Sequence, residues 1–330
     1  MSKISIGVLG SGTWGMALAR LLANSGKEVT VWSAIDAEIE NLKATNKYPK
    51  LPQMVLPDNI SYTTDIKQAC EGKDIVLFSV PSVFVRQTAK KAAPYIKDQV
   101  VVDVAKGLEN DSFKTLTEVI VDEVGPVRIV ALSGPTHAEE VAIDLPTMII
   151  AASEDEEAAH FVQSVFNTQH MKVFTSSDVR GVEICGAIKN IFALAAGLSD
   201  GLGFGDNAKA AIMTLGIHEM KRLGLELGCQ EETFFGLAGL GDLIVTCMSP
   251  HSRNNRCGRL IGHGVPVKEA TEQIGMVVEG LNALPPVVKL AKKRRIDMPI
   301  VKLLDMIVRG VITPTKAVEM IYAIEKVDQK

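Results

Sequence analysis

Three groups of residues have the types and spacing to do chemistry. The first is Gly10-Ser11-Gly12-Thr13-Trp14-Gly15, a G-x-G-x-x-G run. It follows the apolar, β-branched run Ile4–Leu9 and precedes an apolar helical pattern, Trp14–Asn24. A strand, this loop and a helix form the arrangement that binds a dinucleotide pyrophosphate. Gly10 permits the tight turn, Gly12 lets phosphate approach a backbone without a Cβ, and Gly15 lets the helix pack close to the sheet. A helix beginning near Thr13 points its N–H groups and positive dipole end at the anion.

The second group lies where strand-like runs end. Val100–Ala105 runs into Lys106-Gly107, and Arg128–Leu132 runs into Ser133-Gly134-Pro135-Thr136-His137-Ala138. A lysine at the carboxyl end of a strand suits an anionic or hydroxylated ligand; the alternative is an exposed strand-end lysine. The second run reads as a nest of backbone N–H groups with two hydroxyls, opening a short helix. Its alternative is an ordinary proline turn.

The third group is downstream. Gly186-Ala187-Ile188-Lys189-Asn190 places a lysine inside an otherwise apolar helix, which is unusual unless the side chain snorkels at the helix edge. Gly236-Leu237-Ala238-Gly239-Leu240-Gly241-Asp242 sets a carboxylate after a glycine-rich loop. Ser252-Arg253-Asn254 offers a hydroxyl, a guanidinium and an amide in succession, which suits a phosphate. The six histidines are scattered without metal-ligand spacing, so no metal site is expected.

These groups need elements to hold them. Strand-like runs at Ile4–Leu9, Glu28–Trp32, Ile75–Val80, Val100–Ala105, Arg128–Leu132, Met148–Ala152 and Met171–Phe174 alternate with helical patterns such as Ser82–Ala92, Ser112–Val124 and Asp155–Phe166. Continuous apolar strands separated by helices predict a parallel sheet buried on both faces, with ligands at the carboxyl ends of its strands. Near Ser177-Asp178 the pattern changes. Asp178 suits the N-cap of a long helix towards Leu198, and Ala208–Leu227, Val278–Lys293, Ile300–Val308 and Thr315–Glu325 read as further helices. The predicted fold class is therefore α/β: a Rossmann-type doubly wound sheet over residues 1–180, then an all-helical domain over 181–330. The two are expected to pack tightly around a cleft.

At 330 residues, 47% of them hydrophobic, the chain can support two domains with sizeable cores. A net charge of −4, with no basic run interleaved with aromatics, argues against a nucleic-acid partner. Lys292-Lys293-Arg294-Arg295 reads as a solvated helix end. The five cysteines are scattered and form no C-x-x-C pair, which predicts reduced thiols without disulfide or zinc. Met1 leads directly into a strand, so no signal peptide is expected, and runs such as Thr147–Ala152 are too short to cross a bilayer. The expectation is a cytoplasmic protein with no membrane insertion.

The motifs GSGTWG, VPS (Val80-Pro81-Ser82), AKGLE (Ala105–Glu109), SGPTHAEE (Ser133–Glu140), GAIKN, GLAGLGDL, SRN and VVEG (Val277–Gly280) occur in this order. Together they resemble the bacterial NAD(P)-dependent sn-glycerol-3-phosphate dehydrogenase family over nearly the whole chain. The resemblance implies a C-terminal domain of the 6-phosphogluconate-dehydrogenase-like type. It implies NAD(P)H as cofactor and the reversible reduction of dihydroxyacetone phosphate to sn-glycerol 3-phosphate, the backbone precursor of phospholipids. It makes Lys189 the catalytic acid/base, and has Lys106, Gly134, Thr136, Lys189, Asp242, Ser252, Arg253 and Asn254 hold the substrate. It sets the dinucleotide against the Gly10–Gly15 loop, including Ser11, Thr13 and Trp14, and against Lys106, Ala138, Arg253, Val277 and Glu279. Enzymes of this kind are commonly dimers, but no feature of the sequence compels a homodimer.

One departure stands out. Family members often carry a basic residue just after the second strand, where the 2′-phosphate of NADPH would sit. Here the stretch reads Val31-Trp32-Ser33-Ala34-Ile35-Asp36. Asp36 lies about 20 residues past Gly15, the distance expected of an acid that bonds the ribose of NAD. Its alternative role is N-cap of a helix over Ala37–Ala44. Two rival readings remain at this point: a dehydrogenase of the same architecture acting on a β-hydroxy or sugar acid, and a nucleotide-sensing regulator without turnover.

Overall fold

The computed structural model describes residues 3–322. The chain forms two compact units. One takes the residues up to Glu109 together with Lys114–Glu183; the other takes Asn110–Phe113 and the chain from Ile184 onward.

The first unit is built on strands β1 (Ser5–Leu9), β2 (Glu28–Trp32), β3 (Ile60–Thr63), β4 (Ile75–Phe78), β5 (Val100–Asp103), β6 (Arg128–Ser133), β7 (Thr147–Ala152) and β8 (Met171–Ser176). Between them lie helices α1 (Thr13–Asn24), α2 (Asp36–Thr45), α3 (Ile66–Cys70), α4 (Val85–Ala92), α5 (Leu116–Val124), α6 (Ala138–Val141) and α7 (Glu156–Phe166). The strands form one sheet in the order β3-β2-β1-β4-β5-β6-β7-β8. Alternate strand residues feed two apolar layers, one on each face. Ile6, Val8, Val29 and Leu77 pack with Met16, Leu22, Val162 and Phe166 on one side. Leu9, Val76, Phe78 and Val101 pack with Val85, Ala89, Leu116 and Ile120 on the other.

Several expectations need correction. The sheet is not wholly parallel: β7 runs antiparallel to β6, with Leu132 opposite Ala151. The linker after Ser133 is spent on the strand-end loop and the four-residue α6, which leaves no helix to carry the chain back along the sheet. Strand β3 escapes the sequence reading because it is a four-residue edge strand with Ser61 exposed. Asp36 is not an N-cap; α2 begins at Asp36 and Ile35 occupies the cap position. The Ser112–Val124 helix starts later, at Leu116, where Thr115 and Glu118 form a reciprocal capping box.

The second unit contains most of α8 (Val179–Gly201), then α9 (Gly205–Glu226), α10 (Glu231–Phe235), α11 (Asp242–Met248), α12 (Arg253–Gly262), α13 (Val267–Ile274), α14 (Glu279–Arg294), α15 (Pro299–Val308) and α16 (Pro314–Tyr322). The unit boundary falls inside α8. The last three residues of the expected helix Thr315–Glu325 lie outside the described residues. Asp178 accepts the Gly181 N–H at 2.9 Å, as an N-cap should. Helix α8 is also long and apolar enough to cross a bilayer, contrary to the expectation from the sequence; its apolar window is wholly buried in the protein. Helices α8 and α12 touch backbone to backbone: a Cβ on Gly258 would lie 2.0 Å from the Leu194 carbonyl, so only glycine permits the crossing.

Candidate active site

In the first unit the glycine loop turns at Gly10, whose φ is +119°. The Gly10 N–H donates to the Trp32 carbonyl at 2.9 Å, which ties the loop to the end of β2. A Cβ on Gly10 would lie 2.8 Å from the Ser79 carbonyl oxygen, and one on Gly15 would lie 2.3 Å from that of Gly10. The protein's own packing therefore demands both glycines. Gly12 differs: the nearest atom to an added Cβ is 4.0 Å away. Helix α1 starts at Thr13 with no side-chain cap and no acid in its first turn. An uncapped helix N-terminus beside an open Gly12 fits a pyrophosphate. Trp14 packs on the core, while Ser11 turns its hydroxyl to Glu38, 2.5 Å away.

Lys106, Gly134 and Thr136 come together at the strand ends. The Lys106 ammonium donates to the Gly134 carbonyl at 3.1 Å, and the Thr136 hydroxyl donates to the same oxygen at 3.2 Å. Ala138 opens α6 beside them in sequence. The buried hydroxyls of Ser79 and Ser133, just after β4 and at the end of β6, have no hydrogen-bond partner among the described residues. Two buried acids were not anticipated. Asp103 ends β5, and burial plus the charge of Glu183 pushes its carboxyl well above the usual range. Glu183 accepts the Thr117 N–H at 2.9 Å and hydroxyl at 2.5 Å, so it caps the start of α5; burial pushes it up to about 7.

In the second unit the central contact is Lys189 with Asp242. The Lys189 Nζ donates to Asp242 Oδ1 at 2.5 Å and to Thr246 Oγ1 at 2.6 Å, and all three side chains are buried. A single π-helical turn over Leu237–Gly241 delivers Asp242 to the first position of α11. Thr246 sits one turn later on the same face, and its hydroxyl also donates to the Asp242 carbonyl at 2.6 Å. From the sequence, neighbouring cations such as Lys106 and apolar surroundings are expected to lower the pKa of Lys189. Within its own unit the charged group against it is a carboxylate.

Around this contact the remaining motifs interlock. Asn254 donates to the Asn190 Oδ1 at 2.9 Å and accepts the Gly280 N–H at 2.8 Å, so its amide joins α12 to α8 and α14. The Ser252 hydroxyl caps α12 by accepting the Asn255 N–H at 3.2 Å. Arg253 Nη1 donates to the Val277 carbonyl at 3.0 Å, and Glu279 is the first residue of α14. Of the Ser-Arg-Asn triple, then, the serine and asparagine side chains are engaged within the protein, while Arg253 is fixed at one end of its fork. Thr246 was missed by the sequence reading, although its i, i+4 spacing from Asp242 would have marked it. All five cysteines are buried free thiols, and burial pushes Cys247, next to Thr246, up to about 12.

Residues 5–159 match the model of the NAD-dependent glycerol-3-phosphate dehydrogenase N-terminus, and residues 178–319 match that of the C-terminus. The chain belongs to the NAD-dependent glycerol-3-phosphate dehydrogenase family. It is 57% identical over 310 residues to glycerol-3-phosphate dehydrogenase (NAD(P)+) 2 of Lactobacillus delbrueckii subsp. bulgaricus, covering 92% of each chain. It is 46% identical to a glycerol-3-phosphate dehydrogenase (NAD(P)+) of Agathobacter rectalis, covering 90% of this chain and 89% of that one. A crystal structure of glycerol-3-phosphate dehydrogenase from Coxiella burnetii superposes with a TM-score of 0.94 at 37% identity, over 98% of this chain and 99% of that one.

Proposed function

We propose that this protein is an NAD(P)H-dependent glycerol-3-phosphate dehydrogenase that reversibly reduces dihydroxyacetone phosphate to sn-glycerol 3-phosphate, supplying the glycerol backbone of phospholipids. The observation that carries this reading is the buried Lys189–Asp242–Thr246 contact in a chain of this family. When bound at this site, a reduced nicotinamide would supply the hydride to the carbonyl carbon and leave oxidised. The carbonyl oxygen becomes an alkoxide, and Lys189 Nζ gives it a proton; in the reverse direction the same nitrogen takes the proton back. Asp242 and Thr246 fix the ammonium by accepting from it, so little rotameric freedom is lost when substrate arrives.

Dinucleotide binding falls to the Gly10–Gly15 loop, with Lys106, Ala138, Arg253, Val277 and Glu279 as further contacts. Lys106, Gly134, Thr136, Asp242, Ser252, Arg253 and Asn254 hold the substrate. For Ser252 and Asn254, the hydrogen bonds already made favour a supporting role in which the N-terminus of α12 and Arg253 meet the phosphate. Residues 1–180 then form the dinucleotide-binding domain and 181–330 the catalytic one. Five reduced thiols suit a reducing compartment, and the cytoplasm is the location we propose.

The test is the loss of reduced-nicotinamide absorbance on adding dihydroxyacetone phosphate, with 3-hydroxyisobutyrate and NAD+ run in parallel. Turnover of the phosphorylated ketone alone supports the assignment. Turnover of the hydroxy acid alone would replace it, and turnover of neither would favour a nucleotide sensor.

A further inference from the structure

The carboxylate of Glu38 sits against the glycine loop. Its Oε2 accepts the Ser11 hydroxyl at 2.5 Å and the Ser33 hydroxyl at 2.9 Å. Ser11 is the first variable residue of the loop, and Ser33 follows the last residue of β2. The Ser33 Oγ also accepts the Ile35 N–H at 3.2 Å, which sets the approach to α2. With the Gly10–Trp32 bond, the loop, the end of β2 and the first turns of α2 are locked around one carboxylate. The other oxygen, Oε1, lies 3.7 Å from Lys50 Nζ.

In a doubly wound sheet the end of the second strand is where the adenosine ribose lies, and a carboxylate there accepts the ribose hydroxyls. Sequence spacing nominated Asp36 for that role. Asp36 is exposed at the first position of α2, whereas Glu38, half a turn later, is the acid bonded to the glycine loop. A second anion cannot approach a fixed carboxylate without cost, and no basic residue stands at Ser33, Ala34 or Ile35 to offset it. Lys50 is the nearby cation, and its charge is already opposite Glu38.

We propose that Glu38 sets the nucleotide choice of this enzyme: it takes the ribose hydroxyls of NADH and disfavours the 2′-phosphate of NADPH. This rests on the glycine loop being the dinucleotide site. The two serine bonds hold the carboxylate in place before the nucleotide arrives, so discrimination is built into the free protein.

The experiment measures calorimetric Kd values for ADP-ribose and 2′-phospho-ADP-ribose, alongside kcat/KM for NADH and NADPH with dihydroxyacetone phosphate. Wild type is compared with Glu38→Gln, Ser33→Ala and Lys50→Ala. Wild type is expected to bind the unphosphorylated ligand at least about tenfold more tightly. Glu38→Gln should narrow that ratio by about tenfold, chiefly by tighter binding of the 2′-phosphate. Ser33→Ala, which leaves the carboxylate but removes one of its anchors, should narrow it by about threefold and keeps the test alive should the first variant fail to fold. Lys50→Ala should leave the preference for the unphosphorylated ligand in place. A wild type that prefers the 2′-phosphate, or a ratio in Glu38→Gln within twofold of wild type, would overturn the Glu38 assignment while leaving the dehydrogenase reading intact. Failure of both ligands to bind would overturn both.

Discussion

The two units prepare their chemistry by opposite means. In the first, the groups offered are mostly backbone: the α1 N-terminus, the open position at Gly12, and the Gly134 carbonyl that holds Lys106. In the second they are buried side chains from α8, α11 and α12, held in pairs such as Lys189–Asp242 and Asn254–Asn190. Backbone recognition depends on where a chain turns, so it is written as a local motif. Side-chain recognition depends on which helices meet, so each partner is written far from the other.

The contrast makes the second unit the more sensitive to single substitutions. Lys189→Ala removes the proposed proton donor and leaves the buried Asp242 carboxylate without the Lys189 cation. Its kcat should fall by about 10²–10⁴, the range for general acid–base catalysis, while nucleotide Kd stays within about twofold. A variant that keeps most of its kcat would take Lys189 out of the mechanism.

In the first unit, Gly15 and Gly12 separate folding from binding. Gly15→Ala forces a Cβ to within 2.3 Å of the Gly10 carbonyl and should cost about 1–3 kcal/mol in urea unfolding. Gly12→Ala points its methyl into open space, so stability should move by less than about 0.5 kcal/mol while nucleotide Kd rises by about tenfold. Equal stability losses for the two variants would mean that Gly12 serves packing.

Each unit also buries one glutamate at a helix start. Glu183 caps α5, and Glu219 accepts the Ile300 and Val301 N–H groups of α15 at 2.8 and 3.3 Å. Burial pushes each up to about 7. In the unfolded chain a glutamate releases its proton near 4.3, so between that pH and about 7 the folded state holds more protons. Stability from each group is therefore fully present below about pH 4 and is lost as pH rises to about 7. Across that window Glu219→Gln should gain on wild type by about 2–3 kcal/mol, read from urea midpoints at the two pH values. A constant difference would show that Glu219 stays ionised when folded. The smallest effect belongs to Asp36→Asn, which should change the NADH KM by less than about twofold because the side chain is exposed.

Much of the fold was legible because continuous apolar strands and glycine turns leave strong local marks: Glu28–Trp32 is a strand from end to end, and Asp155 caps α7. The antiparallel β7 was not, because strand direction depends on what a linker can span. In the candidate site, Lys189 announced itself as a lysine among apolar neighbours, but nothing local linked it to Asp242, 53 positions away. Glu38 was hidden for a similar reason. The spacing rule pointed to Asp36, and only the serine contacts show which acid meets the loop.

The claim that the second unit grips a phosphate is tested most directly at Arg253. The measurement is the ratio of kcat/KM for dihydroxyacetone phosphate to that for dihydroxyacetone, at saturating nucleotide, in wild type and Arg253→Ala. Loss of a charge-assisted contact to the phosphate should cost about 2–5 kcal/mol, so the ratio should fall by about 30-fold to several thousandfold. A fall of equal size for both substrates, leaving the ratio unchanged, would contradict the account.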